Sequence, residues 1–212
     1  AVLLPAETRF RAQSGGVRGM LATWRGHLRN GRLLATCAIG FGMLFTNVAA
    51  YTFVNLHLAA PPFGLSPAQL GAVFAVYLVG VGTTAAASAL AVRFGRRATL
   101  ALAVALAACG LLLTLVARLA AVIAGLALMS GGLLVVQTLA LGFIAATVPQ
   151  GRSAAVGLYV TIYYIGGALG GVAPALAWAA AGWQGVVMLV LPVLAAMAVL
   201  AHWFWRLPTT PR

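Results

Sequence analysis

Six stretches of this sequence, 34–58, 68–92, 98–117, 120–147, 154–178 and 183–205, run without a single Arg, Lys, Asp or Glu. A helix that crosses a bilayer needs about 20 mostly apolar residues, and each stretch is that long. The text between them is short and rich in turn residues: Pro61-Pro62-Phe63-Gly64, Arg93-Phe94-Gly95-Arg96-Arg97, Arg118, Pro149-Gln150-Gly151-Arg152 and Ala181-Gly182. A soluble domain carries roughly 25% charged residues. Here 7% are charged and 63% are hydrophobic, too little charge to cover a water-facing surface. The expected fold is all-α and integral to the membrane, with six transmembrane helices.

The few charges then set orientation. All 13 basic residues are Arg and the one acidic residue is Glu7, for a net charge of +12. With six spans, every Arg except Arg118 falls on the same side. Cytoplasmic loops collect Arg because its translocation is unfavourable, so both ends are expected in the cytoplasm. Nucleic acid is not an expected partner, because the Arg residues sit in gaps between apolar runs rather than along a stripe of a soluble fold. Residues 1–33 form an Arg-rich cytoplasmic segment. Its Val17, Met20, Leu21, Trp24 and Leu28 recur at helical spacing. Either they lie in the headgroup layer or they pack on the bundle. Residues 34–205 form the bundle and 206–212 a cytoplasmic tail. With Ala1 at its start, the sequence reads as a fragment or a processed product. Cys37 and Cys109 lie in apolar runs, with no second ligand at metal spacing; no metal or cofactor is expected.

A repeat is visible inside the bundle. Gly71, Tyr77 and Gly80 in the second span match Gly157, Tyr163 and Gly166 in the fifth, as G-x5-Y-x-x-G at an offset of 86 residues. Each lies second in a block of three spans, and three-span units alternate in orientation, the 3+3 inverted-repeat logic of secondary transporters. Gly166-x3-Gly170 is spaced for close helix packing. Pro174 and Pro192 are expected to bend spans five and six, because each removes a backbone donor.

The segment Ser88-Ala89-Leu90-Ala91-Val92-Arg93-Phe94-Gly95-Arg96-Arg97 resembles the G-x-L-x-D-R-x-G-R-R loop of the major facilitator superfamily. Leu90, Arg93, Gly95, Arg96 and Arg97 match. Ser88 replaces the opening Gly and Val92 the Asp, so the carboxylate that the family uses in closing its cytoplasmic gate is missing from this loop. The Pro-x-x-Arg start of span five, followed by Tyr163-Tyr164 and Gly-rich text, is similar to helix eleven of bacterial efflux permeases. The likeness is to the arabinose-efflux-permease and drug:proton antiporter branch. The resemblance implies the C-terminal six-helix half of a twelve-helix carrier in a bacterial inner membrane. Its partners would be a small-molecule solute, the lipid bilayer, and the missing N-terminal half or a second copy. The implied activity is efflux of a small organic solute by alternating access, possible proton coupling included.

Polar residues inside the spans are the candidate site. Asn47, Tyr51 and Asn55, spaced i, i+4, i+8, share one helix face, and polar groups in hydrocarbon must face protein or a water-filled cavity. The family geometry implies that the first and fourth spans line the central cavity, which places Asn47, Tyr51, Gln137 and Thr138 at the solute. It also implies that Tyr77, Thr83, Thr84, Tyr159 and Tyr163 face the partner half, with Gly166 and Gly170 at a helix interface. Arg93, Gly95, Arg96 and Arg97 would form a gate loop. Interhelical hydrogen bonding stands as the alternative role for each polar residue, and His27, His57 and His202, all near span ends, suit headgroup contacts. Two rivals remain in view. An intramembrane serine protease would need Ser130 and His202 to meet, yet their depths differ by several turns. A non-transporting scaffold or an inactive truncated carrier would need only the packing glycines.

Overall fold

The computed structural model describes residues 24–148 and 151–205, with the side chains of 79–81 and 83–86 outside that description. The Arg-rich segment before residue 24, the tail after 205 and the side chains of Thr83 and Thr84 therefore lie outside the described residues. The described chain is helical, in the order α1 (Gly31–Ala59), α2 (Pro67–Phe74), α3 (Val76–Phe94), α4 (Arg96–Leu113), α5 (Leu119–Thr147), α6 (Arg152–Val172) and α7 (Pro174–Phe204). Five of these, α1, α4, α5, α6 and α7, are long and apolar enough to cross a membrane.

Helix ends follow local chemistry. Asn30 opens α1 by accepting from the Leu33 amide at 3.2 Å. Ser66 and Gln69 exchange bonds in a capping box at the start of α2, with Pro67 in the first turn, where no amide donor is needed. Gly95 separates α3 from α4 at φ 81° and ψ 150°, a conformation that only glycine adopts without strain.

Three expected spans end or break elsewhere. The second, 68–92, is two helices meeting at Ala75, where a tighter i→i+3 turn intervenes: the Ala75 amide donates to Ala72 and the Leu78 amide to Ala75. The third stops at Leu113 rather than 117, because the Thr114 hydroxyl donates to Leu111 O at 2.6 Å and the following residues leave the helix. The fifth divides at Ala173, just before Pro174, and its remainder belongs to α7. That helix reverses at Ala181 and Gly182, the latter at φ 56° and ψ −141°.

Helices α1 and α5 form the centre. Helix α1 packs chiefly on α6 and α7, while α5 packs chiefly on α4 and α3. Several of these contacts are backbone to backbone. A Cβ on Gly166 would strike the Phe41 carbonyl, and one on Gly170 would come within 2.5 Å of the Phe45 carbonyl oxygen. Gly110 and Gly125 abut each other's carbonyls between α4 and α5, and Gly132 abuts the Ala103 carbonyl. Small residues permit this approach in lipid, where van der Waals packing replaces the hydrophobic drive. At one end of the bundle Trp205 donates to Thr36 Oγ1 at 3.0 Å, Arg97 to His202 and His27 to the Gly151 carbonyl. That end holds Arg32, Arg93, Arg96, Arg97 and Arg152. Arg118 lies at the other end, beyond the bond from Trp183 Nε1 to Thr114 Oγ1.

Candidate functional site

The polar face of α1 does not act as a single stripe. Tyr51 is 8% exposed, and its hydroxyl shares a 2.6 Å hydrogen bond with Ser130 of α5, which is fully buried. Its ring stacks on Phe74 at 5.2 Å and meets Tyr77 edge-on at 6.0 Å. Asn55 turns back to its own helix, donating to Tyr51 O at 2.9 Å. Asn47 is the exception: its Nδ2 is buried and has no hydrogen-bond partner. A buried amide donor left unpaired is costly, about 1–3 kcal/mol.

On α5, Gln137 Oε1 accepts from the Tyr159 hydroxyl of α6 at 2.8 Å. The amide nitrogen of Gln137 retains donors for another group. Thr138 donates to Leu134 O of its own helix at 2.9 Å, which spends its hydroxyl proton locally. Tyr159 is 1% exposed and stacks on Tyr163 at 5.9 Å, which meets Tyr164 edge-on. The tyrosines thus form two ring clusters, Tyr51 with Tyr77 between α1 and α3, and Tyr159, Tyr163 and Tyr164 on α6.

The Arg loop is built differently. Arg93 lies 5.2 Å over the Phe94 ring, Arg96 reaches the Gly142 carbonyl at 3.5 Å, and Arg97 meets His202 Nδ1 at 3.0 Å. Gly95 supplies the turn between α3 and α4. His202 is therefore engaged by Arg97 and Ser130 by Tyr51, so the Ser130 and His202 pair that a protease needs is not formed. His57 is held between the Phe63 and Trp183 rings, at 5.3 and 5.7 Å.

Sequence reasoning missed the partners rather than the polar residues. Gly40 went unremarked, yet a Cβ there would strike the Tyr159 ring, so Gly40 makes the room in which Tyr159 reaches Gln137. Ser130 was weighed only as a nucleophile. A hydroxyl near the middle of an apolar span must find a partner, and Tyr51 was available on the polar face.

Long apolar helices packed backbone to backbone around a few buried polar bonds define a polytopic membrane protein. Residues 32–212 match the family model described as Major Facilitator Superfamily, and the chain belongs to that family. It is similar to the uncharacterized MFS-type transporter YybF of Bacillus subtilis (strain 168), at 30% identity over 173 residues, covering 81% of this chain and 43% of that protein. An uncharacterized transporter of Buchnera aphidicola subsp. Schizaphis graminum is 27% identical over 90% of this chain and 46% of its own length. The inner membrane transport protein YnfM of Escherichia coli (strain K12) is 27% identical over 91% of this chain and 47% of its own length. The chain spans about half the length of the curated relatives it matches. It is an integral membrane protein of a transporter family rather than of an enzyme family.

Proposed function

We propose that the chain is the C-terminal six-helix half of a secondary carrier that moves a small organic solute by alternating access, outward from a bacterial cytoplasm. The observation that carries this reading is the buried Asn47 Nδ2 without a partner, on the same helix as Tyr51, in a core where Tyr51 with Ser130 and Tyr159 with Gln137 bond across helices. A solute held by Asn47, Tyr51, Gln137 and Thr138 would meet amides, hydroxyls and ring faces. No intramembrane carboxylate is present in the sequence, so a proton-coupling acid would belong to the other six-helix half. The loop of Arg93, Gly95, Arg96 and Arg97 acts in this reading as the gate hinge, Tyr77 and Tyr163 adjoin the moving interface, and Gly166 and Gly170 hold α6 against α1.

The neighbour pattern supports a 3+3 repeat. Span one packs on spans five and six, and span four packs on spans two and three. Exchanging the first three spans with the last three turns one set of neighbours into the other. Both termini on the Arg-rich side fit the same reading.

The test uses the full-length carrier in inverted vesicles, with labelled arabinose and ethidium as probes under imposed ion gradients. Asn47→Leu and Gln137→Leu each lower uptake about three- to tenfold, the loss expected for one hydrogen bond of about 0.5–1.5 kcal/mol, while insertion is unchanged. Wild-type rates in both variants would remove these residues from the path. A wild-type protein that moves neither probe under any gradient would favour the scaffold.

A further inference from the structure

A second polar site lies at the Arg-rich end, away from the tyrosines. A cavity of about 950 Å³ opens between the end of α3, the start of α4 and the end of α7. Arg96, Arg97 and His202 line it, with Phe94, Ala101 and Val199 forming apolar walls. None of Asn47, Tyr51 or Gln137 takes part.

The chemistry of the lining is one-sided. Arg97 donates to His202 Nδ1, which leaves the remaining imidazole proton on Nε2 as a donor. Arg97 Nε is buried and has no partner in the protein. The first turn of α4 has no side-chain cap and no acidic residue, so its amides and the positive end of the helix dipole are also unanswered. Side-chain donors converge here without a side-chain acceptor beyond the imidazole nitrogen that Arg97 already uses. The sequence holds one carboxylate side chain, Glu7, against Arg93, Arg96 and Arg97 in this loop alone. The counter-charge must come largely from outside the chain.

The walls indicate its source. Phe94 is 50% exposed and Val199 55%, and both line the same opening. Exposed apolar side chains at a span end suit acyl chains, and Trp203, beside His202 in sequence, stands at the level of the membrane interface. A soluble anion has no use for these walls, whereas a phospholipid fills both halves of the site. We propose that this cavity binds the phosphate headgroup of an anionic phospholipid, held by Arg96, Arg97 and the His202 Nε2 proton, with its acyl chains against Phe94 and Val199. The site shares Arg96 and Arg97 with the proposed gate loop but includes none of the residues assigned to the solute, and lipid binding here does not require that the protein transport anything.

Native mass spectrometry of the full-length protein, released from membranes of phosphatidylethanolamine and phosphatidylglycerol, tests the assignment. Wild type retains bound phosphatidylglycerol. The Arg96→Gln, Arg97→Gln double variant binds it about tenfold more weakly, as expected for loss of charge-assisted bonds, and Arg118→Gln at the opposite end does not change it. The Arg96→Lys, Arg97→Lys variant, which keeps charge but loses the planar fork, retains more lipid than the Gln pair and guards against misfolding as the cause. Equal retention by wild type and the Gln pair overturns the proposal. Displacement of the lipid by inorganic phosphate in excess would assign the cavity to a soluble anion instead and also overturns it.

Discussion

Helix α5 carries two faces made by opposite means. Gly125 and Gly132, seven residues apart, form one stripe, where a Cβ would collide with α4 backbone. Ser130 and Gln137, also seven apart, form another, where side chains bond to Tyr51 and Tyr159. At 3.6 residues per turn the stripes lie about 140° apart. The glycine face has no side chain to adjust, so contact there is all or nothing. The polar face is held by single hydrogen bonds that are weak in membranes, about 0.6 kcal/mol on average. A helix built this way can stay locked to one neighbour while exchanging partners on the other side.

Breaking the glycine face should have the largest effect. Gly132→Leu adds a side chain where even a Cβ meets the Ala107 amide at 3.0 Å, and overpacking of this kind costs about 1–3 kcal/mol. Thermal unfolding in detergent should show a clear drop in Tm, or no folded protein. Gly142→Leu on the same helix, with nothing within 4 Å, should not lower Tm, since Leu also favours helix over Gly; an equal drop in both would mean that the contact with α4 does not set the loss. Next in size is Ser130→Ala, which strands the buried Tyr51 hydroxyl and should cost about 1 kcal/mol. Adding Tyr51→Phe should recover most of that loss, and a double-mutant cycle measures the coupling. Smallest is Tyr159→Phe, at about 0.6 kcal/mol. An effect as large as that of Gly132→Leu would show that the two faces are not distinct in strength.

Close glycine packing was legible in the sequence on α6 but not on the Gly125 and Gly132 face of α5, and the polar face was legible only as positions without partners. Charge-free runs announce helices because charge in lipid is expensive, and Gly166-x3-Gly170 announces close approach. The break at Ala75 had no such notice: neither proline nor glycine stands there, and the tighter turn is a tertiary outcome. Thr114 ended α4 early through its own side-chain bond to Leu111, a local competition that hydropathy does not register. For the site, periodicity placed Asn47, Tyr51 and Asn55 on one face. Partner choice depends on the register between helices, which no single-helix period contains. Thus Asn55 bonds its own backbone, Tyr51 finds Ser130, and only Asn47 is left unpaired.

Trp205 is the last residue described, and it reaches back to the first helix, donating to Thr36 while stacking on Phe143 at 4.6 Å. Synthesis runs from the N-terminus, so α1 and α5 are made well before the residue that joins them at this end. A nascent chain paused anywhere before position 205 has the Phe143 ring uncovered and the Thr36 hydroxyl without its donor. The bundle therefore cannot be sealed at this end until residue 205 has been made, and a chain that stops short of it leaves the end open rather than slightly shorter.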